Sequence, residues 1–387
     1  MTKGRRVEQH IAVFGESGSG KTVLISSFYG SSQEARFRDD YGFDVIADDV
    51  SQGNKLHSNY LGMKKSGTLP LPNRFKAESF TFSMRTLART ATSTQARRKR
   101  DTLKLVWHDY PGEWFEQSVS TPEEGARRNA AFRELLGSDV ALLLVDAQKL
   151  IDHEGEEERY LKSLLNNFRT GLMRLQDEIL HGNELLTSFP RVWMLALSKA
   201  DLMPNMNVAA FQELLIEKVC DELDALRHVL AEFVQVPEAF SVGEDFVLLS
   251  SAKFEPGKIE VAQRIGIQLV LPIASMLPLE RHERWAGRMQ IPRKIASEIF
   301  SNADNMVRIL VATKLRLPGP LGVAQGLLLS FMAGESMQAS LDMANTKLRE
   351  MSEEATKRHD HLKAALLRFQ VDLNRAESDG ILIRSPR

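Results

Sequence analysis

The sequence predicts an α/β protein, with a doubly wound, mostly parallel sheet that is covered by helices and followed by an all-α C-terminal region. Short apolar runs typical of buried strands alternate with helical stretches over roughly the first 280 residues. One run, DVALLLVDA from Asp139 to Ala147, is apolar on both faces, as a covered parallel sheet requires. After Leu279 the pattern is helical and shows no strand. We therefore expect one domain over residues 1–280 and a helical domain over residues 281–387.

The composition is that of an ordinary globular protein. Of its 387 residues, 43% are hydrophobic and 26% are charged, a balance that can bury a sizeable core. The formal net charge of −1 creates no overall field that would attract nucleic acid or a membrane, so no nucleic-acid partner is expected. The single Cys220 excludes an internal disulfide framework and fits a reducing cytoplasm. No secretory signal and no membrane-spanning run are expected.

The first element is a strand, a glycine-rich loop and a helix. Ile11 to Phe14 is a short apolar run, and TVLISSFYG after the loop has the composition of a helix. The loop GESGSGKT fits the phosphate-binding pattern GxxxxGK(S/T) in the context that this pattern requires. Its backbone N–H groups and the helix N-terminus would surround phosphate oxygens, Lys21 would reach the β- and γ-phosphates, and the Thr22 hydroxyl would bind Mg²⁺. The predicted phosphate-binding residues are Gly15, Ser17, Gly18, Ser19, Gly20, Lys21 and Thr22.

The second element is a strand that ends in a carboxylate. Residues 102–109 alternate apolar and polar side chains, and residues 78–86 are predicted to pair with them as an antiparallel edge hairpin. Asp109 ends the strand and is followed by Tyr110, Pro111 and Gly112. Asp109 could hold Mg²⁺ through water, and the Gly112 N–H could bind a γ-phosphate. A plain strand-ending turn has the same residue types.

Two later strands end in polar motifs that can select a base. RVWMLALSKAD ends in the Ser198 to Asp201 motif SKAD, and FVLLSSAKF contains SSAK. The Asp201 carboxylate can accept two hydrogen bonds from guanine, whereas adenine has no such donor pair. The Lys199 stem could lie along the base and the Ala252 N–H could reach the guanine carbonyl oxygen. All four motifs follow predicted strands, where open α/β sheets bind ligands. The predicted base-binding residues are Ser198, Lys199, Asp201, Ser251, Ala252 and Lys253.

Together GESGSGKT, DYPG, SKAD and SSAK resemble the signature of P-loop GTPases of the translation-factor-related class, over roughly residues 8–280. The large insertions, at about residues 31–75 and 150–185, are similar to those of bacterial stand-alone or double-GTPase-like proteins. The resemblance implies a P-loop GTPase sheet, a GTP-binding domain over residues 1–280, and Mg²⁺-dependent binding of GTP and GDP. It also implies slow GTP hydrolysis, stimulated by a partner or a second copy, with Lys21, Gly112 and Glu113 as catalytic residues.

Two positions depart from the family pattern. The family usually has Asn where Ser198 stands, and that Asn ties the base loop to the phosphate loop, so Ser198 is expected to weaken this tie. Ras-like members often have Gln after DxxG, to orient the attacking water, and this chain has Glu113. A carboxylate there could orient water or repel the γ-phosphate, and the sequence leaves both roles open.

The first switch loop is expected between Thr22 and Asp109, a stretch that is long for the family. KKSGTLPLPNRF, from Lys64 to Phe75, is rich in turn residues and offers Thr68 as a further Mg²⁺ ligand. An exposed threonine in a Pro/Gly loop explains the same residue. Further helices are predicted at residues 150–185, 208–233 and 258–276.

The helical C-terminal region offers possible partner surfaces. A seam of apolar residues at alternating steps of four and three predicts a long amphipathic helix, which either pairs with a second copy or folds back on its own domain. The seam consists of Met337, Leu341, Ala344, Leu348, Met351 and Ala355, and a similar seam follows at Leu362, Leu366, Phe369 and Leu373. An apolar hairpin at residues 306–333 fits the core of a small helical domain better than a membrane-dipping tip.

These features favour a nucleotide-dependent switch in the cytoplasm that acts with an unknown protein effector or activator. Homodimers through the GTP-binding domain or the C-terminal helix are a further expectation. One alternative is a dynamin-like GTPase whose tail self-assembles or binds membrane. Another alternative is an ATP-using P-loop enzyme, although no acceptor-substrate motif supports it.

Overall fold

The computed structural model describes residues 6–71, 77–86, 102–116, 121–180, 185–186, 189–190, 192–237, 240–255, 258–286, 337–357 and 361–385. The predicted apolar hairpin at 306–333 lies outside the described residues. Among the helices that are described, none combines the length and apolar character needed to cross a bilayer.

The strands build one large sheet and a small hairpin. In chain order they are β1 (Arg6–Phe14), β2 (Phe43–Ala47), β3 (Glu78–Thr86), β4 (Thr102–Asp109), β5 (Val140–Asp146), β6 (Val192–Ser198), β7 (Ser241–Leu249), β8 (Lys253–Glu255), β9 (Lys258–Glu260) and β10 (Leu382–Ile383). The sheet order is β10-β7-β6-β5-β1-β4-β3-β2, and β8 pairs with β9 separately. Strands β1, β4, β5, β6 and β7 run parallel, whereas β3 and β10 are antiparallel to their neighbours.

The helices cover both faces of the sheet. They are α1 (Lys21–Ser32), α2 (Ala35–Tyr41), α3 (Val50–Ser66), α4 (Glu113–Glu116), α5 (Pro122–Leu136), α6 (Ala147–Asp152), α7 (Glu157–Ile179), α8 (Val208–Ala231), α9 (Val270–Ala286), α10 (Met337–Lys357) and α11 (His361–Ser378). One apolar core joins the sheet to α1, α3, α9, α10 and α11, and the other joins it to α5, α6, α7 and α8. The predicted doubly wound α/β class is confirmed.

The central strands are buried because helices lie on both sides of them. All seven residues of β5 and of β6 are buried, as their continuous apolar runs predict. In β1, Ile11 and Val13 face one core whereas Ala12 and Phe14 face the other, which follows from the two-residue period of a strand. This strand therefore lies between the two cores, and the phosphate loop follows its last residue.

The structure corrects two of the predicted placements and adds a strand, β2, that the sequence did not predict. Strands β3 and β4 do pair in antiparallel fashion, but β2 pairs with the outer side of β3, so the hairpin is not the edge of the sheet. The five residues of β2 alternate between buried and half-buried, a pattern too short to stand out. Residues 258–276 do not form one helix, because β9 and a short 3₁₀ turn precede α9.

The described C-terminal helices, α10 and α11, pack on the chain's own sheet. The predicted seam divides between α10 and α11, and its described buried members, among them Leu348, Leu366 and Phe369, share a core with α1 and α9. The prediction of no strand after Leu279 was wrong, because β10 pairs with β7. Two residues are too few to produce a strand period in the sequence.

A buried ionic network holds segment 377–385 in place. Arg281 pairs with Asp245 at 2.5 Å, and both side chains are almost fully buried. The Ser385 N–H donates to the same carboxylate at 2.9 Å. Arg384 pairs with Glu280 at 2.9 Å and with Glu377 at 2.5 Å. Segment 377–385 therefore joins α11, α9 and β7.

Candidate functional site

The four motifs meet at one edge of the sheet. Because β1, β4, β6 and β7 run parallel, their carboxyl ends lie on the same side. The phosphate loop follows β1 at Phe14, the DYPG motif begins at the last residue of β4, and the SKAD and SSAK motifs lie at the ends of β6 and β7. The topology thus places every predicted site motif except the Thr68 loop at this edge.

The phosphate loop is bent back on itself by glycine. Gly18 and Gly20 adopt positive φ angles of 80° and 93°, which other residues rarely adopt. The Ser19 N–H donates to the Glu16 carbonyl at 3.2 Å, and α1 begins at Lys21. Such a loop at a helix N-terminus presents several N–H groups to an anion.

Lys21 is held inside this loop. Its side chain is buried, and Nζ donates to the carbonyl oxygens of Gly15 at 2.7 Å and of Glu16 at 3.0 Å. Nζ also lies 5.3 Å from the centre of the Tyr110 ring. The ammonium group is thus fixed beside the loop N–H groups, where an anionic phosphate would pair with it.

Residues 110–113, which we call the switch segment, lie directly on the phosphate loop. The Gly15 N–H donates to the Tyr110 hydroxyl at 2.9 Å, and the Ser17 hydroxyl donates to the Glu113 carboxylate at 2.9 Å. A Cβ atom on Gly112 would lie only 2.2 Å from the Ser17 nitrogen. Position 112 therefore accepts only glycine in this arrangement. Sequence reasoning missed Tyr110, whose aromatic side chain gave no signal of a role at the loop.

Asp109 is a buried carboxylate that fits a cation. It is 3% exposed, and its Oδ1 atom has no hydrogen-bond partner among the described residues. Burial raises the pKa of Asp109 to about 6, although nearby Lys21 opposes this shift. A carboxylate oxygen and the Thr22 hydroxyl are the hard oxygen donors that Mg²⁺ prefers. The residues present therefore fit this metal.

Asp201 is anchored to the SSAK motif. Its Oδ1 accepts from the Ser250 hydroxyl at 2.5 Å, and its Oδ2 accepts from the Phe254 N–H at 3.0 Å. Each carboxylate oxygen has a second lone pair with which to accept a bond from a base. Sequence reasoning assigned Ser250 no role, because two adjacent serines follow this strand and nothing in the pattern says which one faces Asp201.

The SSAK motif is joined to the helix that follows the phosphate loop. The Ser27 hydroxyl on α1 donates to the Ser251 carbonyl at 2.8 Å. Ala252 is fully buried and packs in a cluster with Val23, the residue after Thr22. Lys253 forms a surface ion pair with Glu255 at 2.7 Å. The base-binding and phosphate-binding motifs are therefore neighbours.

Lys199 has a strained backbone and an acidic partner. Its φ angle of 55° lies in the left-handed region, where no other non-glycine residue of the described chain is found. Its Nζ pairs with Asp146 at 2.7 Å, and Asp146 is almost fully buried. Sequence reasoning missed Asp146, although its position at the end of β5 was an available signal.

Ser198 and Thr68 make local contacts. The Ser198 hydroxyl donates to the Val145 carbonyl at 3.2 Å on the neighbouring strand. Thr68 is exposed just after α3, and its hydroxyl donates to the Ser66 carbonyl at 3.4 Å. The assignment of Thr68 to the metal stays a prediction.

No family model and no curated protein matches the chain. Nucleolar GTP-binding protein 1 from Plasmodium falciparum is similar in structure, with 11% identity and a TM-score of 0.30, over 80% of this chain and 98% of that one. The signal recognition particle receptor SRβ-GTP/SRX complex from Chaetomium thermophilum has 17% identity and a TM-score of 0.30, over 66% of this chain and 94% of that one. The GDP-bound Roco2 RocCORdC of Methanosarcina barkeri has 12% identity and a TM-score of 0.25, over 80% of this chain and 69% of that one. Likenesses this distant do not assign a function, so the geometry of this chain must do so.

Proposed function

We propose that this chain binds GTP and GDP with Mg²⁺, hydrolyses GTP slowly, and acts as a nucleotide-dependent switch. The observation that carries the proposal is the junction of two half-sites at one sheet edge. Lys21 and the phosphate loop form one half, and Asp201 with the SSAK motif forms the other. The Ser27 to Ser251 hydrogen bond joins them, so one nucleotide can reach both.

Each residue has a distinct task in this proposal. The loop N–H groups and Lys21 bind the β- and γ-phosphates, and Asp201 accepts hydrogen bonds from guanine. Thr22 and Asp109 would hold Mg²⁺, which when bound neutralises charge on the phosphates. Hydrolysis is an in-line attack by water, for which the chain mainly supplies positioning. Glu113 beside the loop adds a negative charge next to the phosphates, consistent with slow turnover.

The switch segment would report the γ-phosphate. In the structure Gly112 lies against the backbone of Glu16 and Ser17, with no room for an atom between them. A γ-phosphate can bind at this point only if the segment moves. The hydrogen bond from Ser17 to Glu113 is then replaced by new contacts. The chain would then present two surfaces, one for each nucleotide.

The finer assignments are part of the same proposal. We place the protein in the translation-factor-related class and in the cytoplasm, with an effector or activator of unknown identity. We also propose a homodimer through the GTP-binding domain or the C-terminal helix, which sedimentation with each nucleotide would test.

The test is isothermal titration of GTP, GDP and ATP, each with Mg²⁺ and again with a chelator. We expect guanine nucleotides to bind in preference to ATP and GTP to bind more weakly without the metal. Lys21→Ala should abolish triphosphate binding, because it removes the buried cation of the loop. Equal binding of ATP and GTP would contradict guanine selection, and binding of neither would contradict the whole proposal.

A further inference from the structure

We propose that Glu16, Lys149 and Asp146 are positioning residues that hold the phosphate loop and the base loop at a fixed separation, a link that the Ser198 hydroxyl does not make. The inference rests on the proposed function. Two ion pairs, Glu16 with Lys149 and Asp146 with Lys199, converge on α6, and we call this arrangement the α6 bridge.

The first pair joins α6 to the phosphate loop. Lys149 Nζ lies 2.5 Å from the carboxylate of Glu16, the second residue of the loop. The Glu16 side chain is 13% exposed and that of Lys149 is 36% exposed, so solvent screens the pair mainly at its lysine end. The Glu16 carbonyl also accepts from Lys21 at 3.0 Å. A force that positions Glu16 therefore also positions the acceptor of the phosphate-binding lysine.

The second pair joins α6 to the base loop. Asp146 accepts from Lys199 through Oδ2 at 2.7 Å and from the Gln148 N–H through Oδ1 at 2.9 Å, and so caps α6. The pair holds Lys199 in its left-handed conformation, two residues before Asp201. This partner helps to stabilise a backbone geometry that is otherwise unfavourable.

Tyr160 on α7 supports both pairs. Its hydroxyl accepts from the Asp146 N–H at 3.0 Å, and Lys149 Nζ lies 5.8 Å from its ring centre. The two ion pairs therefore share a short helix and a buried aromatic side chain. Ser198 makes no such link, since its hydroxyl bonds to Val145 within the sheet.

The bridge predicts that removing either charge of the Glu16–Lys149 pair changes the rate of nucleotide release in the same direction. Simple electrostatics predicts opposite effects: Glu16→Gln removes a negative charge near the phosphates and should slow release, whereas Lys149→Met removes a positive charge and should accelerate it. A positioning role predicts that both variants accelerate release, because each one frees the loop. The signs of the two effects therefore separate the two roles.

The experiment measures the dissociation rate of fluorescent GDP from the full chain with Mg²⁺. We expect Glu16→Gln and Lys149→Met each to accelerate release by about threefold to tenfold, and the double variant to release no faster than either. Asp146→Asn, which retains the helix cap, should also accelerate release. Lys149→Arg keeps the positive charge and should release GDP at the wild-type rate. The matched control is Lys162→Met, which breaks a surface pair with Glu158 on α7 and should change nothing.

The outcomes distinguish the inference from the proposed function. If the wild type binds no guanine nucleotide, both the proposed function and the inference are wrong. If the wild type binds GDP but Glu16→Gln slows release or leaves it unchanged, only the inference fails. Thermal unfolding of every variant shows whether a faster release reflects a lost bridge at constant stability or a general loss of structure, which would also overturn the positioning role.

Discussion

Gly112→Ala tests the contact between the switch segment and the phosphate loop. The added Cβ would lie 2.2 Å from the Ser17 nitrogen and 2.4 Å from the Glu16 carbonyl carbon, whereas ordinary contact begins near 3.4 Å. Both atoms belong to backbone, so the segment must retreat by about 1 Å. That movement lengthens the hydrogen bonds of Tyr110 to Gly15 and of Ser17 to Glu113.

A γ-phosphate requires the segment to move and then to bring the Gly112 N–H close to it, and an added Cβ moves with the segment and hinders this close approach. We expect single-turnover GTP hydrolysis to fall by about 10²-fold. GDP affinity should change by less than about threefold, since the positive-φ loop from Gly18 onwards does not depend on the segment. The assay is phosphate release from pre-bound GTP, with GDP titration in parallel.

The matched control is Gly62→Ala on α3, where the new Cβ would meet the Thr68 carbonyl at an ordinary 3.5 Å. This variant should hydrolyse GTP at the wild-type rate. If Gly112→Ala does the same, the switch segment does not contact the γ-phosphate and the proposed sensing role is wrong.

Two further predictions concern stability. Burial, with a contribution from His10, lowers the pKa of His108 to about 4, so acidification below the ordinary value near 6.5 protonates the unfolded state first and destabilises the fold. The wild type should therefore lose free energy of unfolding between pH 7 and pH 4, and His108→Gln should lose up to about 3 kcal/mol less. Urea titrations at both pH values measure the difference. The raised pKa of Asp109 acts in the opposite direction but equally in both proteins, so an unchanged pH dependence would contradict the burial of a neutral His108. Arg281→Met leaves the Asp245 carboxylate buried without its cation and should lower the free energy of unfolding by about 3–5 kcal/mol. The control Arg159→Met breaks a surface pair and should lower it by less than about 1 kcal/mol. Equal losses would refute the network.

The sequence predicted what depends on local pattern. Strands β5 and β6 are long apolar runs, and the motifs after β1, β4, β6 and β7 have fixed spacing, so both could be recognised without a structure. The two-residue β10 and the half-buried β2 could not, because their pairing is decided by long-range contacts.

The same distinction applies within the site. Lys21, Asp109 and Asp201 occupy motif positions, and their placement followed from the parallel sheet. The partners Tyr110, Asp146 and Lys149 did not, because their roles arise from contacts such as Lys149 to Glu16, which are 133 residues apart. Only the folded chain shows which of many charged residues meet.

Asp201→Asn tests the central claim most directly. The asparagine oxygen can still accept from the Phe254 N–H, and its amide can donate to the Ser250 hydroxyl, so the fold should be retained. The amide cannot accept both guanine hydrogen bonds, but it can accept from N1–H and donate to the additional carbonyl of xanthine. By isothermal titration with Mg²⁺, we predict that GDP affinity falls roughly 10- to 100-fold while xanthosine diphosphate affinity rises. Unchanged affinity for GDP in a folded Asp201→Asn variant would contradict guanine recognition at this edge of the sheet.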